Sequence, residues 1–216
     1  LLGKYTIASP ALGKNVIAVG STSNSPLSWY HRGASAGFTI TQYPNNDKNM
    51  GGLRSPHVYV KPAEFGVKYT SLEENKRYLL LKASPDTACS ALENAKITDI
   101  LRLANQNEVT RGKFDDVAII TQRGRCSFAQ KAQYVQQYGA KLMFVVNNDQ
   151  LDDTIDIMNV SPNSNVPTSS YSKLSSAMLQ YSLGTIIMKS LSIAFSTSQP
   201  DSNMYITAPV EYVLDD

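Results

Sequence analysis

Few residues in this chain could do covalent chemistry, and their spacing argues against most of it. Gly33-Ala34-Ser35-Ala36-Gly37 has the G-x-S-x-G pattern of a nucleophile elbow, where a strained strand-to-helix turn exposes the serine. That turn needs a strand directly before Ser35 and a helix directly after it. Here SPLSWYHR precedes and the strand-like FTITQYP follows, so a glycine-rich loop is expected instead. His31 and His57 are the only histidines; neither stands in H-E-x-x-H spacing or within three residues of Asp or Glu. Both are read as structural rather than as triad members or zinc ligands. Asp149, Asp152, Asp153 and Asp156 cluster without the D-x-D-x-D-G spacing of a calcium loop, which leaves a solvated loop. Lys82, Lys131 and Lys141 have no phosphate-cradling glycine loop beside them. Cys89 and Cys126 read equally as two buried thiols or as one bridge. No catalytic residue, metal site or cofactor is expected within the chain.

The elements around Cys126 are the most legible. The run at 117–121 (VAIIT) is apolar and β-branched, as in a buried strand, and Arg123-Gly124 ends it. Ser127 stands three residues before Gln130, the spacing of a capping box, and Phe128, Ala132 and Val135 would line one face of the helix that follows. Gly139 falls where a left-handed helix cap is wanted, and LMFVV at 142–146 is a second strand ended by Asn147-Asn148. Strand, helix and strand in this compass make a βαβ unit with two parallel strands and a right-handed crossover.

These same residues resemble the central motif of protease-associated (PA) domains: a strand, R-G-x-C-x-F-x-x-K, a short helix, a Gly-Ala step and an apolar strand ending in Asn. Arg123, Gly124, Cys126, Phe128, Lys131, Gly139, Ala140 and Asn147 all fall at its offsets. The resemblance implies an α/β fold, a curved mixed β-sheet or open β-barrel with flanking helices. It also implies a Cys89–Cys126 disulfide, since many PA domains bridge the R-G-x-C cysteine to one upstream. A disulfide would place the chain outside the cell or in a secretory or endolysosomal lumen. The sequon Asn159-Val160-Ser161 is a glycosylation candidate in keeping with that compartment, although Pro162 follows it.

Nearer the start, SPALGKNVIAVGS (residues 9–21) resembles the segment after the oxyanion-hole asparagine in subtilisin-like serine peptidases, one branch of which carries a PA domain inserted before the catalytic serine. The Asp, His, Asn and G-T-S-M-type Ser motifs of that chemistry are absent, so a parent peptidase would hold them outside this chain. The first residues lack the basic stretch and apolar block of a signal peptide, and the chain reads as part of a longer protein. The expected organisation is a peptidase-like segment and linker at 1–49, a PA domain at 50–199 and a return segment at 200–216. The expected role is that of a non-catalytic PA domain of a subtilisin-like endopeptidase, whose partner is polypeptide substrate or the parent's catalytic domain. The alternatives are the luminal PA module of a sorting receptor or membrane-anchored ubiquitin ligase, or the PA insertion of a zinc aminopeptidase. Parallel α/β strands present ligands at their carboxyl ends. These are the turn at 122–125, with Arg123 and Arg125, and the segment at 147–153, with Asn147, Asn148 and Asp152. The plainer role for Arg123 is to tether its turn.

Composition sets the outer limits. In 216 residues, 42% hydrophobic and 18% charged content describes an ordinary globular chain. A net charge of +2 with scattered Lys and Arg argues against nucleic acid. No run approaches the roughly 18 apolar residues that span a bilayer. Further strands are expected at 16–19, 38–40, 58–60, 63–66 and 78–81. Thr98 would cap a helix carrying Ile100, Leu101, Leu103 and Ala104. After the Val166-Pro167 step, a helix is expected at 172–181, ended by Gly184, followed by strands over 185–195.

Overall fold

The structure is a computed structural model and describes residues 36–42, 53–54, 58–72, 76–106, 113–148, 155, 157–161, 164–196 and 204–211. The strand expected at 16–19, Ser35, both histidines, Asp152 and its three acidic neighbours, and Pro162 lie outside these residues.

Among the described residues, eight strands form one mixed sheet. They are β1 (Ala36–Gln42), β2 (Leu53–Arg54), β3 (Val58–Pro62), β4 (Lys76–Lys82), β5 (Asp116–Gln122), β6 (Leu142–Val146), β7 (Ser175–Leu179) and β8 (Met204–Glu211). The order is β2-β1-β3-β7-β6-β5-β4-β8, and β8 pairs again with β1, so the curved sheet returns on itself. The four central strands β7, β6, β5 and β4 are parallel, and β3 and β8 flank them antiparallel.

Parallel strands covered on both faces read as unbroken apolar runs, which is why VAIIT, LMFVV and YLLL carry no alternation. Their side chains still divide with a period of two. Tyr78, Leu80, Ala118, Ile120, Leu142, Phe144, Ala177 and Leu179 join Phe38, Ile40, Val58 and Val60 in one core. Leu79, Leu81, Val117, Ile119, Met143, Val145 and Met178 join the other. Helices α1 (Ile97–Gln106) and α2 (Phe128–Tyr138) serve the second core, whereas α3 (Tyr181–Ser196) sends Ile187, Met188 and Leu191 into the first. The fold is thus the expected α/β one.

The βαβ unit forms as read, over β5, α2 and β6. Ser127 accepts from the Gln130 N–H while the Gln130 side chain accepts from the Ser127 N–H, and Gly139 caps the far end at φ 103°. The buried face of α2 is Ala129, Lys131, Ala132 and Val135; Phe128 is only partly buried beside it.

Three expectations are corrected. No strand forms over 63–66: Ala63 is irregular, residues 64–66 form bends, and only Val67 makes a bridge, to Ser175. Helix α1 starts at Ile97, ahead of Thr98, with the Lys96 carbonyl accepting from Asp99 and Ile100. Most substantially, helix and strand exchange places after residue 172: Ser175–Leu179 is strand β7 and Tyr181–Ser196 is helix α3. Leu174, Ala177 and Met178 mimic helical spacing only because this strand is buried on both faces, so its apolar residues do not alternate. Gly184 does not end a helix but lies in the first turn of α3. A Cβ there would lie 2.5 Å from Val146 Cγ1, so only glycine lets α3 seat against β6.

Candidate functional site

The carboxyl ends of β4, β5 and β6 converge on the turn at residues 123–126. Thr121 Oγ1 and the Gln122 N–H both donate to the Asp86 carbonyl, at 2.7 and 2.9 Å, and draw the loop after β4 across the end of β5. Lys82 and Asp86 pair at 3.0 Å at its base. Asn94 holds the same loop from within, donating to the Lys82 carbonyl and accepting from the Ser84 N–H.

The turn itself bends through two residues with positive φ, Gly124 at 106° and Arg125 at 63°. Arg125 adopts a conformation that non-glycine residues seldom take, and its side chain is exposed. Cys126 then bonds to Cys89, with Cα atoms 5.7 Å apart, so the bridge implied by the resemblance is present.

Beneath the bridge lies Lys131, fully buried. Its Nζ donates to the carbonyls of Thr87 and Gly124, the latter at 2.9 Å, and stands 3.5 Å from Cys89 Sγ. One ammonium therefore fastens the two segments that the disulfide joins. Burial lowers the pKa of this amine to about 8. Sequence reasoning missed this role. The signal was there, because Lys131 is three residues after Phe128 and four before Val135, on the face that had to be buried.

Arg123 ties the turn to β6. Its N–H donates to the Val146 carbonyl at 2.9 Å, and its Nη1 donates to Asn147 Oδ1 at 2.7 Å. Asn147 is buried, and the same Oδ1 accepts from the Asn148 N–H at 2.9 Å. The guanidinium also lies over the Phe128 ring, 5.8 Å from its centroid. The two loops expected to be neighbours are therefore joined, and Arg123 has the tethering role. Exposed Arg125, Asn148 and Gln122 are left on the rim. A Cβ on Gly124 would have the Asn148 amide as its nearest neighbour, at 3.9 Å. The sequon residue Asn159 is also exposed, on the loop after β6.

Such a rim offers hydrogen-bond donors on a cross-linked base. Among the described residues no group of three or more His, Cys, Asp or Glu could hold a metal ion. No helix among them is long and apolar enough to cross a membrane.

Comparison with known proteins adds three findings. The family model of the PA domain matches residues 77–187. No curated protein matches the chain. Among solved structures, the chain is similar to an aminopeptidase from Aneurinibacillus sp. strain AM-1, at 14% identity and a TM-score of 0.41. The match covers 81% of this chain and 30% of that one.

Proposed function

This chain belongs to the PA domain family, a protease-associated module, and we propose that it is the non-catalytic domain inserted in a subtilisin-like serine endopeptidase. The observation that carries the insertion is the pairing of β1 with β8. β1 begins at Ala36 and β8 ends at Glu211, and these two residues are register partners on paired antiparallel strands. A domain set into another fold needs its two ends side by side, so that the host strands remain undisturbed. On this reading residues 1–49 and 200–216 lead from and back to the peptidase core, and the PA domain proper occupies 50–199.

The choice of a subtilisin-like host rests on SPALGKNVIAVGS in the leading segment. Within that host, the rim of Arg125 and Asn148 would contact long polypeptide substrates beyond the scissile bond, with Asp152 of the following segment as a further contact expected from the sequence, while Arg123 and Asn147 keep the rim rigid. The disulfide supports a secreted or endolysosomal setting. Asn159, exposed and two residues before Ser161, would carry a glycan there.

The identity of the host is tested on the full-length protein. A fluorophosphonate probe should label a serine outside residues 1–216, and metal chelation should leave peptidase activity intact. Activity lost to chelation, with no serine labelled, would favour the zinc aminopeptidase. A full-length protein with neither response would belong with the sorting receptors and ubiquitin ligases.

A further inference from the structure

The opposite ends of the parallel strands hold a second concave feature. A cleft of about 160 Å³ opens at the amino ends of β4, β5, β6 and β7, lined by Val67, Ser71, Leu72, Lys76, Tyr78, Asp116, Lys141 and Lys173. β5 is seven residues long, so the cleft lies roughly 20 Å along the strands from the Arg123 turn.

The sequence explains why charge gathers here. Tyr78 and Asp116 are register partners and Tyr78 belongs to the core that contains Leu80 and Ala118, so Asp116 is on that same face, at its margin. Lys76 opens β4 two residues before Tyr78, Lys141 directly precedes β6, and Lys173 lies two residues before β7. Lys76, Lys141 and Lys173 thus share the lining with one carboxylate, Asp116. Burial raises the Asp116 pKa, opposed by the Val117 N–H and by Lys141 and Lys76. Asp115, its neighbour, accepts from the Arg77 N–H through Oδ2. Val67, Leu72 and Tyr78 supply apolar surface. Ser175 bridges to Val67 and donates its N–H to the Lys141 carbonyl, and its buried hydroxyl has no hydrogen-bond partner among the described residues.

Size and charge together define the occupant. Pockets for whole small molecules run to about 300–1,000 Å³, so this one admits a single side chain and the group next to it. The cations demand an anion and the wall demands an apolar body. We propose that this cleft receives the free C-terminal carboxylate of a polypeptide whose last side chain is apolar. Lys141 and Lys173 hold the carboxylate while Val67, Leu72 and Tyr78 accept the side chain. The inference is independent of the parent peptidase, because it uses neither the flanking segments nor the Arg123 rim.

The experiment is a fluorescence anisotropy titration of the 216-residue chain with a labelled, alanine-rich hexapeptide ending in leucine. Two companion peptides carry a C-terminal amide, one of them with an internal glutamate. The free acid should bind saturably below about 1 mM. The plain amide should bind at least tenfold more weakly, as should the free acid to the Lys141→Ala/Lys173→Ala protein. Both lysines are exposed, so the double variant keeps the core intact. Arg125→Ala, at the other end of the strands, should change nothing. No saturation by 1 mM, equal binding of acid and amide, or full binding by the double lysine variant would each overturn the proposal. So would a glutamate-containing amide that binds as tightly as the free acid, since the cleft would then read acidic side chains rather than a chain terminus.

Discussion

Arg123 reaches from the end of β5 to Asn147 at the end of β6, Nη1 to Oδ1, at 2.7 Å. The contact joins the turn after β5 to the segment after β6, and it puts a buried amide oxygen under a guanidinium. Removing the acceptor strands a donor, which costs more than the bond itself contributes. Asn147→Ala should therefore lower unfolding free energy by about 1–3 kcal/mol in urea denaturation. Asn147→Asp, which keeps an oxygen in place, should lose less. An alanine variant as stable as the parent would show that the tether is not needed.

The disulfide offers a second measurement. The folded, unreduced protein should take up no alkylating reagent. Cys89→Ser/Cys126→Ser should lose about 4 kcal/mol, the chain-entropy value for a closure spanning 37 positions. Two alkylated thiols in the native protein would contradict the bridge.

Lys131 has a pH signature. Its folded pKa is about 8 against 10.5 for an ordinary lysine, so between those values the unfolded chain holds a proton that the folded chain has released. Stability contributed by this site should rise with pH across that window, by up to about 1.4 kcal/mol per unit. Burial pushes the Tyr138 phenol up to about 12, which works in the opposite direction above pH 10. The comparison of parent with Lys131→Met from pH 8 to 10 isolates the lysine. A difference that is flat or shrinks over that range would contradict an ammonium buried in this way.

At the seat of α3, Gly184→Ala should destabilise by about 1–3 kcal/mol, because the added methyl overlaps the Val146 side chain. In a Val146→Ala background the same change should cost less, since the overlapping methyls are gone. Equal costs in both backgrounds would place the strain elsewhere.

How much of this was legible before the structure follows from where information is local. The Ser127 cap, the Gly139 turn and the two strands of the βαβ unit depend on neighbours within about four residues, and all were read correctly. The exchange of helix and strand after residue 172 depends on tertiary burial. SSAML is buried on both faces in the middle of the sheet, Ser175 and Ser176 included, so its burial does not alternate. The β-branched residues Thr185, Ile186, Ile187 and Ile193 suggested strands, yet the segment is a helix with Ile187, Met188 and Leu191 in the core. At the candidate site, the turn and its asparagine partner were readable from spacing and from the family motif. The buried ammonium of Lys131 and the carbonyls it holds were not, since Thr87 lies 44 positions away. The cleft at the strand amino ends was equally hidden, because its lining comes from β4, β5 and the segments that precede β4, β6 and β7.

The central claim is that the rim formed by Arg125 and Asn148 meets long substrates of a parent peptidase, away from its reactive bond. Contacts remote from the scissile bond act only on a chain long enough to make them. The direct measurement is kcat/KM of the full-length enzyme carrying Arg125→Ala and Asn148→Ala, with a tetrapeptide and with an unfolded protein as substrates. The account predicts a fall of about tenfold, ~1.4 kcal/mol of transition-state binding, for the protein substrate and no change for the tetrapeptide. Equal falls for both substrates, or no change in either, would contradict it.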